Sequence, residues 1–275
     1  MRAGLLRFAR NRMALAGAAV LFGVLLLVAL SPLLYPGDPF RLAGPPLQPP
    51  GGAHLLGTDT LGRDVAAGIA HGARTSLLIG LGATLSAVLF GAVVGGVAGY
   101  YRGTVELVLM RLTEFFQTIP AFVLAILVVA ILSPSVTSEI IAIAAVSWPG
   151  IARLVRGEFV SLGGREFVLA CAGLGASDSR IIFRHLLPNC TSSIIAVGSL
   201  LTATAILIES GLAFLGLGDP NVMSWGLIIS AGRAVLRSAW WVCTFPGIAI
   251  LLTVLAINLV GDGLNEALNP RLRER

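Results

Sequence analysis

Met13 to Leu34 carries no charged side chain. An apolar run of about 20 residues is what an α-helix needs to cross a hydrocarbon core of roughly 30 Å. Lipid cannot satisfy free backbone N–H and C=O groups, so such a run is confined to a helix or a closed barrel. Five more mostly apolar stretches follow: about Ser76–Tyr100, Phe115–Ser133 with Pro120 near its start, Glu139–Leu154, Ser193–Leu217 and Ala239–Val260. The chain reads as an all-α polytopic membrane protein with six transmembrane helices. The first run is too long for a signal-peptide core and lacks a good cleavage site after it, so it counts as a span.

Composition agrees, with 56% hydrophobic and 12% charged residues, about half the charge of a soluble domain. All 19 cations are arginine. Without lysine the chain has no P-loop lysine for ATP phosphates and no Schiff-base amine. The basic balance therefore reads as membrane topology and not as nucleic-acid binding. Six spans put both termini on one side. The arginines of the terminus-side segments number fourteen (2, 7, 10, 12, 102, 111, 153, 156, 165, 180, 184, 271, 273, 275) against five on the other side (41, 63, 74, 233, 237). By the positive-inside rule both termini are cytoplasmic.

The chain divides into a basic lead-in with the first span (1–35) and a Pro/Gly-rich outer loop (36–75). A core of five spans follows (76–265), with a cytoplasmic segment over about 155–190, and then a tail (266–275). Arg102–Glu114 reads as a short polar turn, Trp148-Pro149-Gly150 as a kink, and 218–238 as a loop. Gly91, Gly95 and Gly99 recur at spacing four, a small-residue stripe that lets another helix approach closely.

One cytoplasmic stretch does not read as a loop. Phe167 to Leu174 is a short, mostly apolar helix, Gly175 breaks it, and Ser177 and Asp178 are placed to cap a second helix. An apolar helix on the aqueous side must be buried by something, and another subunit is the natural cover.

Other chemistry finds little support. Glu209 lies in an apolar run, where carboxylates often mark ion paths. No arginine or histidine partners it, so a hydrogen-bonding or packing role is preferred to a proton relay. Gly261-Asp262-Gly263 suggests an intramembrane aspartyl protease, but that chemistry needs two carboxylates sharing a site and no second membrane aspartate exists. His54, His71 and His185 lack metal-ligand spacing. Cys171, Cys190 and Cys243 read as small apolar residues. No serine sits in a nucleophile elbow. The chain does not read as an enzyme.

The cytoplasmic stretch resembles the EAA loop of permease subunits of bacterial ATP-binding-cassette importers. More narrowly, the chain resembles the dipeptide/oligopeptide/nickel importer permeases that carry a Gly-Thr-Asp-x-Leu-Gly-Arg-Asp signature. Here that signature is Gly57, Thr58, Asp59, Thr60, Leu61, Gly62, Arg63 and Asp64. The similarity continues through Arg165-Glu166-Phe167-Val168, Gly175-Ala176-Ser177-Asp178, Glu209 to Gly218, Ser224-Trp225-Gly226 and Asn258 to Leu264. Two departures stand out. Leu169-Ala170-Cys171 replaces the loop's usual Glu-Ala-Ala, and Asn269 stands where an aspartate precedes proline.

The resemblance implies a type I importer permease fold in the bacterial cytoplasmic (inner) membrane. It also implies a second homologous permease, two ATP-binding subunits and an extracytoplasmic solute-binding protein. ATP and magnesium would sit in the partner subunits, with no cofactor or metal on this chain. Coupling would run through Glu166, Phe167, Val168, Leu169, Ala170, Cys171, Gly175, Ala176, Ser177 and Asp178. The cargo would be short peptides, with nickel or a metal-chelate as the alternative. A stand-alone secondary transporter is the rival of a different class, and the lack of paired intramembrane charges argues against it.

Overall fold

A computed structural model of the chain describes residues 8–268. Arg2, Arg7, the three tail arginines and Asn269 lie outside the described residues. These form helices α1 (Arg12–Leu34), α2 (Val65–Tyr101), α3 (Gly103–Thr118), α4 (Ala121–Leu132), α5 (Val136–Gly163), α6 (Glu166–Gly173), α7 (Asp178–Ile181), α8 (Leu187–Phe214), α9 (Trp225–Gly232) and α10 (Trp241–Leu268). The described residues contain isolated bridges but no strand. Five helical stretches are long and apolar enough to cross a membrane, and the bent pair α3–α4 makes a sixth if taken as one span.

Several boundaries differ from the sequence reading. The expected polar turn at 102–114 is α3, an amphipathic helix whose Glu106 carboxylate accepts from the Arg156 guanidinium of α5. Left-handed backbone at Arg102 and Gly103 separates it from α2. Pro120, which cannot donate to a helical ladder, separates it from α4, and the axes of α3 and α4 differ by 88°. Alone, α4 is about 18 Å long at 1.5 Å per residue, short of a bilayer core. Residues 225–232, expected as loop, are α9, capped by the Ser224 hydroxyl, which accepts from the Leu227 N–H at 3.2 Å. α5 runs unbroken through Pro149. α8 starts at Leu187 instead of about Ser193. A π-turn over Ile182–Leu186 joins it to α7 and shifts the ladder just where Pro188 withdraws its donor.

α2 packs along most of α5, and the glycine stripe is the seam. A Cβ on Gly91 would lie 2.7 Å from Ile151 Cβ, and one on Gly99 would lie 2.7 Å from Phe159 Cβ. Three further helices complete the bundle: α8 lies against both α2 and α10, and α10 lies against α1. At one end Asn11 donates to Glu266 at 2.9 Å, so the two ends of the described chain meet there. α2 and α5 descend to this end, which also holds α6 and α7. The 36–64 loop, α9 and the start of α10 occupy the other. The boundary expected at 75/76 falls inside α2.

Candidate functional site

α6 leaves α5 through a tight turn at Gly164-Arg165, and its single inward side chain is Val168. Val168 is 5% exposed and packs with Phe159, Leu162, Ile181, Leu186 and Cys190. The rest of α6 faces outward. Phe167, Leu169 and Leu174 are exposed, Leu174 to 89%, as is Phe183 beyond it. Ala170 is exposed and Cys171 is half-buried. The departure from the family glutamate at Leu169 therefore adds an exposed apolar residue beside others.

The glycine break is a complete helix stop. The Ala176 N–H donates to the Cys171 carbonyl at 3.1 Å and the Gly175 N–H to the Ala172 carbonyl at 3.0 Å. This paired pattern requires a left-handed residue, and Gly175 supplies it at φ +80°. Capping of the next helix differs from expectation. Ser177 occupies the N-cap position, but its side chain makes no capping bond; it lies 3.3 Å from the Ser179 hydroxyl. Asp178 instead accepts from the Tyr100 hydroxyl at 2.7 Å, strapping α7 to the end of α2. α6 is thus seated against α5, α7 and α8 through Val168, and α7 is tied to α2 through the Tyr100 bond. His185, half-buried, approaches Cys171 Sγ at 3.8 Å.

At the opposite end, residues 57–64 form a knot of hydrogen bonds. Thr58 is fully buried; its hydroxyl donates to the Pro45 carbonyl at 2.7 Å and accepts from the Gln48 N–H at 2.8 Å. Its carbonyl accepts from Trp241 Nε1 of α10 at 3.1 Å. Asp59 Oδ1 accepts from the N–H groups of Leu61 and Arg63, the Asx-turn preference that places aspartate here. The Gly62 carbonyl accepts from Ala43 and Gly44. The Arg63 guanidinium lies over the Phe40 ring at 4.8 Å. Asp64 caps α2 by accepting from the Ala67 N–H, and its other oxygen lies 2.9 Å from His54 Nδ1. Burial, and then the Asp64 charge, raise the pKa of the Tyr35 phenol. At Gly57, φ is +79° and a Cβ would sit 2.7 Å from Trp241 Nε1, so only glycine fits. The signature clasps the loop onto α2 and α10. The N-cap at Asp64 was readable from sequence as an aspartate before an apolar run. Trp241 was not.

Glu209 is wholly buried, and its Oε2 accepts from the Ser76 and Ser210 hydroxyls at 3.3 and 3.2 Å. The hydrogen-bonding role expected of it is what the geometry shows. A second buried carboxylate, which the sequence reading did not single out, is Glu139, in the first turn of α5 and 2% exposed. In sequence Glu139 follows the Ser135 cap and looks like an ordinary solvated first-turn acid. Only the fold brings the 215–224 segment over it.

A bundle of apolar spans carrying a short apolar helix at one end defines the class, a polytopic helical membrane protein. Comparison with known proteins agrees. Residues 87–274 match the family described as binding-protein-dependent transport system inner membrane component, and the chain belongs to that family. Residues 2–50 match the N-terminal transmembrane domain of oligopeptide transport permease C. Similar chains include the dipeptide transport system permease protein DppC of Alkalihalophilus pseudofirmus (39% identity, 96% of this chain, 88% of that one). The di/tripeptide permease DppC of Pseudomonas aeruginosa shares 40% (97% and 90%), and the oligopeptide permease OppC of Bacillus subtilis 35% (98% and 89%). Among solved structures, an inward-facing MetNI methionine ABC transporter shares the fold at TM-score 0.61 and 17% identity, over 72% of this chain and 94% of that one.

Proposed function

We propose that this chain is one of two membrane subunits of an ATP-driven importer of short peptides, and that α6 receives the push of a partner ATPase. The observation that carries the proposal is the mounting of α6. One face is anchored through Val168, and Phe167, Leu169 and Leu174 are left for another surface at the end where the chain's arginines concentrate. That bias supports cytoplasmic placement of this end and of both termini.

Movement of α6 would reach α5 through Arg165 and α8 through the continuous α7–α8 helix, tilting two spans that flank α2. The cavity between this chain and a second permease would then change the side it opens to. ATP and magnesium would act in the partners. The bonded 57–64 knot would hold the outer loop rigid where a solute-binding protein delivers cargo. The named relatives support peptides as that cargo. The test is the ATPase activity of the reconstituted complex with its binding protein. Stimulation by di- or oligopeptides is expected. Stimulation by a nickel chelate alone would overturn the cargo, and uptake by the purified chain under an ion gradient without ATPase partners would overturn the class.

A further inference from the structure

Arg63, in the 57–64 knot, is a fixed cation without an anion. Its N–H donates to Asp59 Oδ1 at 2.9 Å and its carbonyl accepts from the Asp59 N–H at 2.9 Å, so the backbone beneath the side chain is held on both sides. The guanidinium stacks on the Phe40 ring, and the Phe40 N–H donates to Asp38 Oδ1. Arg63 Nε is inaccessible to solvent and has no hydrogen-bond partner. None of the ion pairs among the described residues includes Arg63. An arginine cannot escape this by losing its proton. The ring offsets only part of the penalty for taking a charge out of water.

Beside the guanidinium is a cavity of about 190 Å³, where Asp59, Arg63 and Asp64 of the knot meet the apolar Met223, Leu227 and Ile228. Both carboxylates are already engaged. Asp59 Oδ1 accepts from the Leu61 and Arg63 N–H groups, and Asp64 accepts from the Ala67 N–H and faces His54 Nδ1. The volume is well under the roughly 300–1,000 Å³ of a pocket that encloses a whole ligand, so it fits one end of a ligand. A guanidinium takes a carboxylate as a planar, two-pronged partner. The apolar residues can receive a side chain carried next to that carboxylate, and a methionine adapts to side chains of different shape. An acidic side chain of a docked protein would use the cation and leave the apolar lining idle.

Resting on the importer reading above, we infer that Arg63 and this cavity receive the C-terminal residue of a peptide at the loop end of the bundle. The α-carboxylate sits on the guanidinium and the terminal side chain lies against Met223, Leu227 and Ile228. The negative charges of Asp59 and Asp64 weaken the hold on the carboxylate, so the peptide leaves readily. The site is a station on a path and not a store.

Saturation-transfer NMR on the reconstituted complex in lipid nanodiscs, with the binding protein left out, tests this using alanyl-leucine and its C-terminal amide as probes. Saturable binding of the acid is expected. It should weaken by about tenfold for the amide and in Arg63→Gln, with Arg63→Lys in between. Equal binding of acid and amide to the wild type overturns the inference, even if Arg63→Gln fails to fold. Acid binding unchanged in a folded Arg63→Gln overturns it too. So does a variant that binds the acid normally but no longer captures the binding protein, which would make Arg63 a protein-docking residue. If peptides stimulate the ATPase activity of the full complex while the acid shows no saturable binding here, this inference fails and the importer reading stands.

Discussion

Replacing Gly175 separates backbone geometry from bulk. At φ +80° a β-carbon meets no heavy atom within 4 Å, so any cost of Gly175→Val is conformational and not steric crowding. The left-handed region costs a non-glycine residue about 1–2 kcal/mol, and a β-branched one falls at the upper end. That is roughly a 5- to 30-fold loss of the population with the α6 stop intact. Releasing the stop frees the Cys171 and Ala172 carbonyls and lets α6 pivot on Val168 alone. The expected phenotype of Gly175→Val in the reconstituted complex is continued ATP hydrolysis with uptake per ATP reduced several-fold and membrane insertion unchanged. Gly175→Asn should stay close to wild type, since asparagine tolerates this conformation. Wild-type uptake by the valine variant would refute the reasoning, and so would an asparagine variant as impaired as valine.

Further outcomes are expected elsewhere. Val168→Ala removes two buried carbons and should destabilise the segment by about 2 kcal/mol, seen as faster proteolysis around 165–178. Leu169→Glu, at a position 59% exposed, should shift the chain's own stability by no more than about 0.5 kcal/mol, so any change in uptake reports docking. Tyr100→Phe deletes the strap to Asp178 and should cost about 1 kcal/mol at this exposed site, read as increased hydrogen exchange in α7. Trp241→Phe leaves the buried Thr58 carbonyl without its donor, at about 1–3 kcal/mol, and should make the 36–64 loop protease-sensitive while α6 stays intact.

The spans and the apolar helix at 166–173 were legible because hydropathy and helix-stop chemistry are local. Gly175 followed by Ala176 announces its own turn. The small-residue stripe was equally plain, since glycines four apart must share a face. What stayed hidden depends on distant partners. Glu139 became buried only because a glycine-containing segment some eighty residues later folds over it. α3 looked like a turn because Arg102, Glu106, Arg111 and Glu114 punctuate the stretch; in the fold Glu106 pairs with Arg156 of α5 and Arg111 with Glu114. The start of α8 was misplaced because a π-turn lets helix continue past Pro188. The signature at 57–64 was recognisable as a pattern, but its work lies in bonds to Pro45, Gln48 and Trp241, which no spacing rule within eight residues reveals.

Docking of α6 is tested most directly by cross-linking. Leu174→Cys, in a chain with Cys171, Cys190 and Cys243 replaced by alanine, places a thiol at the most exposed apolar side chain of this segment. If α6 seats on an ATPase subunit, a short bifunctional reagent should join the two chains in native membranes, with a yield that changes when ATP is added. A thiol that labels freely with a water-soluble maleimide and never joins an ATPase subunit would contradict it.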